Sequence, residues 1–446
     1  LSRVLLTVWP LTGHLHPNLA LAHALRRAGH EVAFYTGEGA RALLEGEGFR
    51  IFPFRAVDES TVHRLALSPE GILSARRRPW RRRALWRSWV LDTLPDQVAD
   101  LREIVAEWTP AVIATDPTMW APFLVLHELL GVPVAVFSLI PACHIAGTQG
   151  PIIGFPLPRP RGALGRARAS VLRRVSGLFL GDVRRDASAL RARYGLPPLA
   201  GKVTDFAGRM PLYVVPGTRD FDYDRTDLPA SVRYVGPCLW TGARGESAPA
   251  WVDALPAGQP LVYVSEGTVN LEPRVLRAAA VGLAGLPIQV ILTTGRHRDP
   301  ASLGLGAGVP ANIHVEQWVP LTPLLPRLAA LVTVGGPSTL LAGLNAGVPA
   351  VIVPFDWDHP ETAWRVAASG AGLRLAPREC TPARMSEAVQ RVIVEPSFRR
   401  HAQRLAANFR AAGGADRAAA LVAGLAADAA AAVPSTAQES LAWRAS

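Results

Sequence analysis

The chain has 446 residues and a mass of 47.7 kDa, more than one ordinary hydrophobic core holds, so two or about three domains are expected. Apolar residues make up 49% and charged residues 19%, which excludes a wholly disordered or collagen-like chain. The net charge of +11 is almost all arginine, with Lys202 the single lysine, and it suits carboxylates, phosphates or anionic lipid surfaces.

No zinc-finger, RNP-type or helix-turn-helix signature accompanies that charge, so no nucleic-acid partner is expected. Cys143, Cys238 and Cys380 are widely spaced and odd in number. They form neither a disulfide framework nor a zinc pattern and fit a reducing cytoplasm.

The opening run is too short for a signal peptide and lacks a small-residue cleavage site. Arg3 to Trp9 reads as a buried strand. Pro17, with no N–H to leave unpaired, reads as the first residue of a helix through Leu19, Leu21, Ala22 and Leu25 to a Gly29 stop. Glu31 to Thr36 and Arg50 to Phe54 are further strands, and Ala111 to Thr115 is another that ends at Asp116.

Residues 74–91, SARRRPWRRRALWRSWVL, place Leu85, Trp86, Trp89 and Val90 on one helix face and Arg81, Arg82, Arg83 and Arg87 on the other. They read either as a solvated helix capping the first domain or as an element for a membrane surface or lipophilic substrate. Ala121 to Cys143 is the most apolar long stretch, but His127, Glu128 and three prolines interrupt it. It reads as a helix and then the buried strand Pro133 to Leu139, not a membrane span. A cytoplasmic protein, soluble or peripherally bound to a membrane, is expected.

The pattern restarts after Gly258. Strands are expected at Pro260–Ser265, Ile288–Thr293, Leu331–Val334 and Val348–Phe355, with extended chain at Ile313–Trp318. Helices are expected at Pro273–Leu286, Ser338–Ala346 and Glu361–Ser369. Strands alternating with helices indicate parallel, doubly wound sheets. The expected division is a first domain at 1–215, a Pro-, Gly- and Asp-rich linker at 216–258, a second domain at 259–426, and a fraying tail at 427–446.

Ligands of open α/β sheets collect at the carboxyl ends of strands. His14, in PLTGHLHP after the first strand, can serve there as a general base near neutral pH, and Asp116 at another strand end can hold such an imidazole. Taken alone, His14 is an ordinary loop histidine and Asp116 a helix N-cap. His16 reads as a surface or helix-start residue. TVGGPST (333–339) runs from a strand through glycines into a helix, so a phosphate could approach the backbone at a helix N-terminus. Asp356-Trp357-Asp358 has the form of a metal-binding DxD.

Together these segments resemble the family 1 glycosyltransferases, nucleotide-sugar-dependent enzymes of GT-B fold. TGHLHPNLALAHALRRAGHEV is similar to their acceptor-side loop, VYVSEGTV (262–269) to the first strand and loop of their donor domain, and YVGPCLW (234–240) to the element before that domain. QWVPLTPLLPRLAALVTVGGPSTLLAGLNAGVPAVIVPFDWDHPETAWRV (317–366) is similar nearly throughout to their nucleotide-sugar signature. The resemblance covers residues 3–425 and points to bacterial natural-product members. It implies two Rossmann-like domains facing a cleft, with the last helix packed back on the first domain.

The resemblance implies His14 as catalytic base and Asp116 as its orienting acid. Ser265, Gly267 and Thr268 match a loop near the diphosphate, and Trp318 and Val319 the base-binding segment. Gly335, Gly336, Ser338 and Thr339 match the diphosphate cradle, and Asp358 and His359 the pair that holds sugar hydroxyls. It implies inverting hexosyl transfer from a UDP- or dTDP-sugar to a hydroxyl of a hydrophobic small molecule, with no metal and no further cofactor; a DxD metal site belongs to the other glycosyltransferase fold. Homodimerisation and peripheral membrane contact stay open.

Three positions depart from the family pattern. Val334 stands where a histidine usually contacts the diphosphate, His359 where glutamine is common, and Glu266 where an apolar residue is usual, placing negative charge near a phosphate site. Arg296 could compensate for the donor lost at Val334. A non-catalytic homologue that activates a partner enzyme, or a GT-B nucleotide-sugar epimerase, therefore stands beside the transferase reading.

Overall fold

Runs of Val, Ile, Leu and Ala with few polar breaks build strands that are buried on both faces, as parallel sheets covered by helices require. The computed structural model describes the chain apart from residues 65–67, 69–83, 85–86, 90, 140–144, 146–148, 151–156, 159, 180, 224, 243–246, 268–271, 296–297, 306–307, 356–357 and 433–446. Cys143, Thr268, Arg296, Asp356, Trp357 and most of the 74–91 segment lie outside the described residues.

The first sheet is formed by β1 (Arg3–Thr7), β2 (Glu31–Thr36), β3 (Arg50–Pro53), β4 (Val112–Thr115), β5 (Val134–Phe137), β6 (Leu212–Val215) and β7 (Val232–Tyr234). Its order is β3-β2-β1-β4-β5-β6-β7, with every pairing parallel. The second comprises β8 (Leu261–Ser265), β9 (Gln289–Thr293), β10 (Ile313–Glu316), β11 (Leu328–Thr333), β12 (Ala350–Ile352) and β13 (Gly372–Arg374). Its order, β10-β9-β8-β11-β12-β13, repeats that of the first sheet, again all parallel. Two doubly wound lobes of GT-B type result.

Strand alternation splits each core in two. In β1, Leu5 packs with Trp9, Trp108 and Ile113 on one face, whereas Val4 and Leu6 pack with Leu19 and Leu25 on the other. The second face also takes Ala418, Ala419, Val422 and Ala426 from the helix Gly414–Ala432, so the end of the chain returns to the first lobe.

Three expectations need correction. The span 216–258 is not only a linker, because it supplies β7, the seventh strand of the first sheet. Its Phe221, Val252 and Leu255 pack into the second lobe's core. A three-residue edge strand is too short to show periodicity. Pro17 lies inside the helix α1 (Thr12–Arg27) rather than at its first position. The last helix runs to Ala432, past the expected onset of fraying at 427.

Candidate active site

In each sheet the chain reverses its winding between two central neighbours, β1 and β4 in the first, β8 and β11 in the second. Loops leaving these neighbours splay apart and open a crevice at the carboxyl ends. All four loops carry candidate site residues.

In the first lobe Thr7 pairs with Thr115 at the strand ends, and their hydroxyls bond at 2.7 Å. Asp116 continues β4, and its amide donates to Thr7 O at 2.9 Å. Its carboxylate is fully buried. Oδ1 accepts from the Thr118 amide at 2.9 Å and hydroxyl at 2.5 Å, while Oδ2 lies 2.7 Å from His14 Nδ1 in the first turn of α1. With the carboxylate ionised, Nδ1 carries the proton and Nε2 is the nitrogen left for a substrate. Burial alone would raise the Asp116 pKa, but the His14 charge and the His14 and Thr118 hydrogen bonds outweigh it and hold it below the usual value. Burial alone would lower that of His14, but the Asp116 charge and hydrogen bond, with a smaller contribution from Asp358, raise it above 6.5.

Pro17 has a role here that its helix-breaking character did not suggest. Lacking an N–H, it cannot bond the carbonyl four residues back, at Gly13. That oxygen instead accepts from the Ser338 hydroxyl of the other lobe at 3.4 Å. The missing helix bond beside His14 thus becomes a contact across the cleft.

In the second lobe β11 turns at Gly335 into the helix α2 (Pro337–Asn345). Gly335 has φ +103°, and a Cβ there would meet Ile352 Cγ2 at 3.1 Å and His359 O at 3.4 Å. Only glycine fits this turn. Open space faces Gly336. The first intrahelical bond is Leu340 N to Gly336 O, so the amides of Ser338 and Thr339 precede the helical ladder. With the helix dipole they form a site for an anion. Gly267, φ +69°, turns the chain after β8, and its amide donates to Ser265 Oγ at 3.3 Å.

Asp358 sits at the N-cap of the helix α3 (His359–Ser369). Its Oδ2 is buried and has no partner among the described residues. Because Asp358 contributes to the field at His14, the two candidate groups stand near one another across the cleft. Trp318 follows β10 with 42% of its surface exposed, whereas Val319 is fully buried in the core. Val319 can shape that segment but its side chain does not face a ligand. His16 packs its ring 4.6 Å from that of Trp240. Among the described residues no group of three or more His, Cys, Asp or Glu side chains converges to hold a metal ion.

The negative charge of Glu266 is countered within its own lobe, and its carboxylate is buried. Oε1 accepts the Val275 amide at 2.6 Å in the first turn of the helix Arg274–Gly282, and Oε2 pairs with Arg298 Nη1 at 3.1 Å. Burial raises its pKa, opposed by those bonds. Val334 packs into the second core, 3% exposed, and offers the cleft no polar atom.

Sequence reasoning missed Thr118 and Arg298, and it read Pro17 only as a helix start. Thr118 was within reach, since Asp-Pro-Thr after a strand is a turn in which the aspartate accepts from the residue two positions on. It also missed the buried cluster between the lobes. There Arg365 Nε donates to Asp222 Oδ1 at 2.8 Å, Tyr234 OH donates to Asp222 Oδ2 at 2.8 Å, and Glu361 Oε2 lies 3.8 Å from Arg365 Nη1. Asp222 and Arg365 are 143 residues apart, and no local pattern signals their pairing.

Comparison with known proteins bears on this geometry. Residues 11–144 match the glycosyltransferase family 28 N-terminal domain, and residues 279–422 match the C-terminal domain of the erythromycin biosynthesis protein CIII-like family. The chain is 34% identical over 422 residues to 4'-demethylrebeccamycin synthase of Lentzea aerocolonigenes, covering 92% of this chain and 96% of that one. It belongs to the GT-B glycosyltransferases of bacterial natural-product biosynthesis. This glycosyltransferase draws on a nucleoside-diphosphate sugar and acts on a small-molecule natural-product acceptor. It is also 29% identical to demethyllactenocin mycarosyltransferase of Streptomyces fradiae, over 95% of this chain and 87% of the relative. The glycosyltransferase shares its fold with the glycotransferase of kitacinnamycin, at a TM-score of 0.74 and 23% identity, over 95% and 99% of the two chains. It shares it also with VinC in complex with dTDP, at 0.70 and 20%, over 96% and 100%.

Proposed function

We propose that this glycosyltransferase transfers a hexose, with inversion, from a dTDP- or UDP-sugar to a hydroxyl of a lipophilic acceptor, using His14 as base. The observation that carries the reading is the 2.7 Å His14–Asp116 pair standing opposite the glycine turn, with Ser338 touching the backbone beside His14. The acceptor binds in the first lobe, residues 1–215, and the donor in the second, residues 259–426.

Closure of the cleft sets the acceptor hydroxyl between His14 Nε2 and the anomeric carbon. Nε2 takes the proton as the oxygen attacks, and Asp116 stabilises the imidazolium. The diphosphate leaves from the opposite face of the sugar, which inverts its configuration. Amides at Ser338 and Thr339, the α2 dipole and the Ser338 and Thr339 hydroxyls take the developing charge. Val334 supplies no donor, so this backbone cradle carries the leaving group. Asp358 accepts from sugar hydroxyls through its unpartnered Oδ2, His359 lies beside it, and Trp318 stacks on the base. The Ser265–Gly267–Thr268 loop approaches the diphosphate from the β8 side.

Thymine is the favoured base, because a fold relative binds dTDP. Glu266, engaged with its own lobe, gives no reason for an inactive homologue. The test is incubation with dTDP- and UDP-hexoses and a panel of hydrophobic aglycones. Transfer or donor hydrolysis that disappears in His14→Ala supports the proposal. Tight donor binding without turnover for every pair would favour a partner subunit instead.

A further inference from the structure

The helix α4 (Gly162–Phe179) in the first lobe is built inside out. Its inner side is made of small residues. Ala169 is buried, a Cβ on Gly165 would lie 3.4 Å from the Pro160 carbonyl carbon, and one on Gly177 would lie 3.0 Å from Lys202 Cε. Lys202 Nζ and Arg173 tie this side down, Lys202 to Arg173 O at 2.6 Å and Arg173 to Gly150 O at 2.7 Å. Four large apolar residues point outward, while Leu172 is half-buried: Leu164 is 85%, Val171 57%, Val175 49% and Leu178 83% exposed. A surface helix ordinarily buries such residues.

At about 100° per residue the four side chains fall within a stripe about 60° wide and about 21 Å long. Arg168 borders it on one side and Arg174 on the other, both exposed. The helix contains no Asp or Glu. An apolar stripe between arginines, with no acid among them, complements an anionic bilayer surface, where the apolar side chains enter the acyl boundary and the guanidinium groups meet lipid phosphates. A second copy of the same helix is a poor match, since self-pairing would bring arginine against arginine with nothing to neutralise it.

We infer that α4 seats this glycosyltransferase on anionic membrane surfaces, the helix lying in the plane of the interface. The stripe uses none of the residues assigned to the reaction, so the inference does not rest on the proposed reaction.

The full chain is mixed with vesicles of phosphatidylglycerol and phosphatidylcholine, or of phosphatidylcholine alone, and sedimented at low and high salt. Binding only to the anionic vesicles, weakened by salt, is expected. The triple variant Leu164→Ser, Val171→Ser, Leu178→Ser should bind about tenfold more weakly or worse. Arg168→Gln with Arg174→Gln should weaken binding and flatten its salt dependence. Both variants should keep the parent's melting temperature and its thermal shift with dTDP, because these residues are solvent-facing. Absence of parent binding to anionic vesicles overturns the inference, as does equal binding by the triple variant. A concentration-dependent dimer that the triple variant abolishes, without vesicle binding, assigns the stripe to self-association instead.

Discussion

Asp116 and Glu266 are two buried carboxylates, each just past one of the two central strands that flank the switch point of its sheet, β4 in the first and β8 in the second, and each paired with a base from another element. Asp116 meets His14 at 2.7 Å; Glu266 meets Arg298 at 3.1 Å. Their partners differ in kind. An imidazole exchanges its proton near neutrality, whereas a guanidinium never does. Each carboxylate also takes a backbone amide on its second oxygen, from Thr118 and from Val275, so the partner carries the difference. A buried strand-end carboxylate is thus assigned to chemistry in one lobe and to scaffold in the other, and the acidity of the partner decides which.

Variants at the two places sharpen the contrast. His14→Ala should lower kcat by roughly 10²–10⁴-fold, the usual range for a general base, with dTDP binding measured by thermal shift unchanged. Asp116→Asn should cost nearly as much, roughly 10²–10³-fold in kcat/KM, because a neutral amide neither stabilises the imidazolium nor enforces the tautomer. Glu266→Gln should instead cost about 1–3 kcal/mol in denaturant unfolding, as a charged hydrogen bond and its buried pairing are lost, while kcat falls little.

The cluster between the lobes extends the comparison to stability. Burial pushes the Glu361 carboxyl from 4.5 up to about 7, opposed by Arg365. The fold therefore favours its protonated form. That stability is fully present below pH 4.5 and is lost as pH rises through about 7. Over that interval the loss is on the order of 3 kcal/mol, and Glu361→Gln should flatten it in melts run across the same pH range. The smallest effect is expected for Pro17→Ala. The restored N–H competes for Gly13 O, so the bond from Ser338 weakens by about 1 kcal/mol or less, read as a modest rise in donor KM with the fold intact.

Much of this was legible in the sequence. Long Val, Ile and Leu runs such as LVYVS and QVILT mark buried parallel strands, and the Gly-Gly turn at 335–336 announces itself because glycine permits the positive φ taken at Gly335. His14 and Asp116 could be named from strand-end position and family likeness. Less was legible where the deciding contact is remote. Glu266 sits at a strand end like a ligand residue, but its side chain rotates toward a helix amide nine residues on. Pro17 was read by its preference for a first helical turn, although here its missing N–H serves a contact with Ser338, 325 residues from Gly13. β7 is too brief for any periodicity, and it is held by pairing with β6.

The pH dependence of kcat/KM in the parent, Asp116→Asn and Glu266→Gln enzymes tests the dyad most directly. A base raised by burial-opposing contacts with Asp116 must lose its proton before it can act, so the parent's acid limb should rise through an apparent pKa above 6.5. In Asp116→Asn that limb should move to lower pH, and in Glu266→Gln it should stay with the parent's. An acid limb unmoved by Asp116→Asn, or displaced equally by Glu266→Gln, would contradict the division of labour between the two carboxylates.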